Sequence, residues 1–169
     1  AEGMDLRSID GLPPLAEGGP AFAGSAKRAL ACEVLVIGGG PSGLAAAAEL
    51  GRMGFQVILA DDKADLGGKL VLQTHKFFGS EEDCYAGTRG TAIARKLEEE
   101  LRSLSNVTLL ANSPVVAIYK DRKAGIYLDY SSYALVDFKA LVVATGARER
   151  SVLFPGNDLP GVYGAGAFQ

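Results

Sequence analysis

Cys32-Glu33-Val34-Leu35-Val36-Ile37-Gly38-Gly39-Gly40-Pro41-Ser42-Gly43-Leu44-Ala45-Ala46-Ala47-Ala48-Glu49-Leu50 is the stretch whose reading decides the fold. Residues 33–37 form a short, apolar, valine-rich run, the pattern of a strand covered on both faces of a parallel sheet. Residues 44–50 are strong helix formers. Between them stands Gly-x-Gly-x-x-Gly, at Gly38, Gly40 and Gly43. Gly38 permits a tight exit from the strand, Gly40 lets a pyrophosphate approach bare backbone, and Gly43 lets the helix pack close to the sheet. The start of that helix then offers N–H groups and a partial positive charge to phosphate.

Outward from this core, Gly54 stands where a left-handed helix terminus belongs. A second apolar run, residues 56–60, stops at Asp61-Asp62 and completes a β-α-β unit. Asp62 lies 24 positions after Gly38. An acidic side chain at the end of the second strand accepts hydrogen bonds from an adenosine ribose. Asp61 and Asp62 both qualify; Asp62 is preferred for its interval to Gly67-Gly68, which leaves Asp61 a solvated strand end. Further on, residues 91–104 fit a second helix. Ile93, Leu97, Leu101 and Leu104 fall on one face, and Glu98 pairs with Arg102 on another. Residues 106–110 read as a third parallel strand. The runs 115–119, 126–130 and 133–138, separated by Lys/Asp/Gly and Ser-Ser turns, read as a three-stranded antiparallel meander. Residues 141–144 read as a further buried strand ending at Thr145-Gly146.

The expected architecture is therefore α/β: a Rossmann-like dinucleotide-binding domain over residues 31–150, with a parallel sheet, helices and a β-meander. Residues 1–30, with clustered Gly and Pro, read as an extended lead-in, and residues 151–169 as a terminal loop. Met4 is a candidate natural start. The loop reading includes Gly164-Ala165-Gly166, which follows no convincing strand.

The chain has 169 residues, 48% of them hydrophobic, which suits one domain with one core. A formal charge of −3 with no basic stripe speaks against a nucleic-acid partner. No run is long and apolar enough for a membrane span. Cys32 and Cys84, far apart and outside any Cys-x-x-Cys, fit a cytoplasmic protein, and no metal site is expected. Leu44 follows Gly43 where a P-loop carries Lys, and Ser42 lacks the second glycine of a nucleophile elbow.

The residues alone do not separate NAD from FAD. Taken in order, residues 34–43, Asp62, Gly67-Gly68-Lys69-Leu70, the meander and Val142-Val143-Ala144-Thr145-Gly146 resemble the two-dinucleotide-domain flavoproteins. These are the thioredoxin-reductase-like and pyridine-nucleotide-disulfide-oxidoreductase-like enzymes. Gln73-Thr74-His75-Lys76 and the ending Ala147-Arg148-Glu149-Arg150 are similar to the amine- and imino-acid-oxidising branch. That branch holds the alpha subunit of sarcosine oxidase, opine oxidase, dye-linked proline dehydrogenase and hydrogen cyanide synthase. The resemblance implies an FAD-dependent oxidoreductase of a small-molecule substrate, with a hydride passed to flavin N5.

It implies, position by position, that Gly38, Gly40, Pro41, Ser42 and Gly43 face the pyrophosphate and Asp62 the ribose. Gly67, Gly68, Lys69 and Leu70 run along the cofactor, Val115 meets the adenine, and Ala144-Thr145-Gly146 approach from the other side. It also implies a second domain, binding NAD(P), after about residue 169, and a returning segment that completes the flavin site. These would come from further chain or a partner subunit. The family's usual Glu at the ribose position is Asp here, and Cys84 stands outside any Cys-x-x-Cys, which speaks against dithiol chemistry. Lys76 and His75 are candidate cations beside the flavin ring, and no residue is assigned a catalytic role. The competing expectations are an NAD-binding dehydrogenase domain and a non-catalytic dinucleotide-binding fragment.

Overall fold

The computed structural model describes residues 28–77, 79–150 and 152–164. The body of the lead-in, Met4 and the end of the terminal loop from Ala165 onward lie outside the described residues. A six-stranded sheet in the order β3-β2-β1-β6-β5-β4 organises the chain. Its strands are β1 (Arg28–Ile37), β2 (Val57–Ala60), β3 (Val107–Leu110), β4 (Val115–Ile118), β5 (Lys123–Leu128) and β6 (Ser132–Val143). The helices are α1 (Pro41–Arg52), the single turn α2 (Glu81–Cys84) and α3 (Gly90–Ser103). β3, β2, β1 and β6 run parallel, whereas β4, β5 and β6 form an antiparallel meander. The α/β class and the meander are thus as the sequence predicts.

Alternation along β1 makes two cores. Val34 and Val36 face α1 and α3, joining Leu44, Ala47, Leu59 and Leu101. Leu35 and Ile37 point to the other face, where Ile58, Ala124, Ile126 and Val136 cover them. A strand buried on both faces carries no polar side, which is why this run reads as continuously apolar. On α3, Ile93 and Leu101 are buried, Leu97 and Leu104 half-buried, and Glu98 accepts from Arg102, as the periodicity predicts. Gly54 has φ +89, the left-handed terminus expected of it.

Three expectations change. The first strand begins at Arg28, inside the expected lead-in, because Arg28, Ala29 and Leu30 find partners on β6 at Ala134, Leu135 and Val136. The runs 133–138 and 141–144 are one continuous strand, β6, because β1 supplies a parallel partner along almost its whole length. Lys139, which reads as a break, sits within it and donates to Glu33 at 3.1 Å. Gly125, read as a turn residue, lies inside β5 opposite Leu135. A Cβ there would stand 2.1 Å from the Tyr133 hydroxyl, so the ring crossing from β6 takes the place of a side chain.

Cys32 faces the meander core, and burial pushes its thiol up to about 11 from an ordinary 9.0, against an opposing hydrogen bond with the Ile58 backbone. A raised folded value means that the folded state holds its proton longer than the unfolded chain. Its contribution to stability is therefore level below pH 9.0 and declines as pH rises towards about 11. The expected result is that denaturant unfolding of the unsubstituted protein loses stability over that window more steeply than Cys32→Ala does. Parallel pH profiles of the two would show the cysteine uninvolved.

Candidate dinucleotide-binding site

At the carboxyl ends of β1, β2 and β6 the structure opens a cavity of about 420 Å³. Ile37 and Gly38 close one side, Ala60, Asp61 and Asp62 a second, and Pro114 with Val115 a third. Thr145, Gly146, Ala147 and Arg148 complete it. This is the crevice in which open α/β sheets bind ligands.

The glycines are fixed by what surrounds them. Gly38 has φ +104, and a Cβ there would lie 2.4 Å from the Ala144 carbonyl oxygen. At Gly43 a Cβ would lie 1.8 Å from the Gly38 carbonyl oxygen, so α1 sits directly on the loop that precedes it. The Gly67-Gly68 turn is tied to the same loop: the Gly67 N–H donates to the Gly39 carbonyl at 2.7 Å, and a Cβ on Gly68 would be 2.9 Å from the Gly40 Cα.

Gly40 differs. Its φ is −73, and a Cβ would meet nothing within 4 Å. Among the described glycines it alone has neither a positive φ nor a neighbour to exclude a side chain. Among the described residues nothing requires glycine there, but a ligand lying against the backbone would. Gly40 is also the N-cap of α1; it brings no side-chain oxygen to the first turn, and no acidic residue stands in that turn. The partial positive charge of the helix start is thus left for an anion. The residues present fit a dinucleotide pyrophosphate.

Of the two aspartates, Asp61 is the one aimed at the glycine loop. Its Oδ2 accepts the Gly39 N–H at 2.5 Å, and its Oδ1 accepts the Lys63 N–H at 2.8 Å. The Asp62 side chain turns outward, 48% exposed, and accepts from Lys63 Nζ at 2.7 Å. That contact holds the Lys63 ammonium above its usual range. The geometry thus brings Asp61, and not the Asp62 that the spacing favours, to the glycine loop. Successive residues leaving a strand point to opposite sides, and only the pleat of β2 decides which one faces the loop.

Other expected residues divide. Pro41 and Ser42 are exposed in the first turn of α1. Lys69 is exposed on a 3-10 turn, Gly68–Leu72, but the Leu70 side chain is buried against Ile93 and Ala94, which leaves at most its backbone towards a ligand. His75 stacks on Phe77 at 5.2 Å, and Lys76 bridges to Arg89; neither borders the cavity. Cys84 donates to the Ser80 carbonyl at 3.0 Å. Among the described residues no cluster of His, Cys, Asp or Glu could hold a metal ion, and no helix is long and apolar enough to cross a membrane. Pro114 and Arg148 also line the cavity, although neither is among the cofactor contacts expected from the sequence, since their neighbours across it come from distant strands.

Fold and crevice together define an α/β domain of the dinucleotide-binding class. The profile of the pyridine nucleotide-disulphide oxidoreductases matches residues 32–167, and the chain belongs to that family of flavin-dependent oxidoreductases. It is 36% identical over 152 residues to the alpha subunit of sarcosine oxidase from Rhizobium meliloti, covering 82% of this chain and 14% of that protein. It is 35% identical over 137 residues to hydrogen cyanide synthase subunit HcnB from Pseudomonas aeruginosa, covering 80% and 29%. Among solved structures, L-proline dehydrogenase from P. horikoshii superposes with a TM-score of 0.67 at 25% identity, over 82% of this chain and 27% of that one. The chain therefore spans under a third of these relatives.

Gly40→Ala and Gly43→Ala should separate folding from binding. Gly43→Ala forces a Cβ into backbone and should cost about 3 kcal/mol. Gly40→Ala should stay within about 1 kcal/mol of the parent, since only an N-cap preference is lost. Thermal melting of the ligand-free proteins checks both; equal destabilisation would deny that Gly40 is kept for a ligand.

Proposed function

We propose that this chain is the FAD-binding portion of a flavin-dependent oxidoreductase acting on a small amine or imino acid. The observation that carries the reading is the bare backbone at Gly40, beside an uncapped helix start and a carboxylate from the end of β2 hydrogen-bonded to the same loop. In this reading the α1 N-terminus and Gly40 hold the pyrophosphate, and Asp61 takes the adenosine ribose. Pro114 and Val115 flank the adenine, and Thr145-Gly146 border the path towards the flavin ring. Bound FAD would supply a two-electron acceptor at N5; the protein binds, orients and shields it. The amine or imino acid substrate rests on the sarcosine oxidase and proline dehydrogenase likenesses.

The reading includes a further segment, from continuing chain or a partner subunit, that completes the flavin site and carries any NAD(P) domain. Two observations support it. On the side away from β1, β6 pairs with β5 only as far as Asp137, so residues 139–143 present a strand edge among the described residues. Val143 is 63% exposed there, and Val152 and Leu153 beyond it are also exposed. A free parallel edge and adjoining uncovered aliphatics are what a docking strand and its domain would cover. A cytoplasmic setting is part of the same reading, with Cys32 carried as a free thiol.

Purified protein mixed with excess FAD and desalted should keep flavin absorption near one equivalent, and Asp61→Asn should weaken retention by roughly tenfold or more, the loss of a charged hydrogen-bond acceptor. Loss of all flavin on the column, with calorimetric binding of NAD in its place, would turn the assignment to a nicotinamide dinucleotide.

A further inference from the structure

We infer that the β5–β6 hairpin is a strap that positions Asp61 for the adenosine ribose, fastened by Tyr130 and Ser113; the inference rests on the FAD reading above. The main chain of Asp61 is held on one side by the end of β3 and on the other by the loop that follows it. Its N–H donates to the Leu110 carbonyl at 2.9 Å, and its carbonyl accepts the Ser113 N–H at 2.7 Å. Ser113 is the buried polar side chain among the described residues, 2% exposed. Its Oγ donates to the Ala111 carbonyl at 2.7 Å and accepts the Asp129 N–H, at the hairpin tip, at 3.2 Å.

The preceding residue, Asn112, donates its N–H to the Lys63 carbonyl at 2.9 Å, and its carbonyl accepts the Tyr130 N–H at 3.2 Å. Finally the Tyr130 hydroxyl donates to the Asp62 carbonyl at 2.7 Å. The tip thus grips the loop that carries Asp61 and the loop that brackets it. This closes a ring of hydrogen bonds around one wall of the cavity.

The tip's own chemistry points the same way. Asp129 and Tyr130 have φ of 47 and 49, and the Ser131 N–H donates to the Leu128 carbonyl at 2.9 Å, a two-residue turn of mirror-image type. That turn favours glycine at its second position, and a bulky aromatic there is an outlier of the kind retained for a purpose. Glycine at this position would relieve the backbone but give up the hydroxyl on Asp62. Tyr127, edge-on at 6.3 Å, holds the ring in place.

The test is a double-mutant cycle on FAD affinity, measured by flavin titration of the whole chain, with Tyr130→Phe, Asp61→Ala and the pair. Tyr130→Phe should weaken FAD about three- to tenfold, the range for one hydrogen bond, with the flavin-free protein still unfolding cooperatively and its melting temperature lowered by no more than that one bond accounts for. In the Asp61→Ala background it should have no further effect. Ser113→Ala, which strips the Asp129 N–H of its acceptor, should show the same dependence on Asp61. An equal loss in both backgrounds, or no loss in either, overturns the strap while leaving the cofactor reading intact. Failure of the unsubstituted chain to bind FAD overturns the reading and the strap together.

Discussion

The parallel pairing of β1 with β6, from Arg28 opposite Ala134 to Ile37 opposite Val143, is the seam on which this molecule depends. It joins two architectures that have no other long strand contact: the β-α-β unit on one side and the meander on the other. Because the register runs to the last residue of both strands, Gly38 and Ala144 leave the sheet side by side. The Ala144 N–H donates to the Ile37 carbonyl at 2.8 Å, which fixes the two exits together. A shift of one residue in this register would turn every β6 side chain to the opposite face and move Thr145-Gly146 away from the glycine loop.

The glycine motif then acts as a set of clearances rather than as a flexible loop. Gly38 clears the end of β6, and Gly43 clears the backbone of Gly38. Gly39 meets the Leu66 and Asp61 side chains where a Cβ would stand. Each of these brings another part of the chain closer to the start of α1. Gly40 is the position left open at the centre of that convergence. Close packing around a bare stretch of backbone is how a rigid scaffold preorganises a binding site without spending ligand affinity on ordering loops.

Binding and turnover are separable in such a scaffold. The crevice around Gly38, Asp61 and Val115 is built from elements within the described residues and is enclosed on several sides. The other end is bordered by an exposed strand edge and by exposed aliphatic residues beyond Val152. That asymmetry agrees with a chain that spans 14% to 29% of the curated relatives described above. In the FAD reading proposed above, this part of the fold holds the cofactor at its adenine end, and substrate selection belongs to whatever covers the other end.

The sequence by itself determined the elements whose signal is local. The apolar run into Gly-x-Gly-x-x-Gly, the alanine-rich helix, the face of α3 and the left-handed Gly54 each follow from spacing and backbone preference within one turn or strand. Tertiary structure decided what depends on a partner. Lys139 and Ala140 look like an interruption until β1 runs alongside them, and Gly125 looks like a turn until the Tyr133 ring lies over it. Asp61 and Asp62 are adjacent and chemically alike, so only the pleat of β2 against its neighbours could direct one to the glycine loop and the other to Lys63. Tyr130 carries no motif, because its role is created by a loop 68 residues away in sequence. Local preferences are written in neighbouring residues; contacts between distant strands are set by the packing that brings them together.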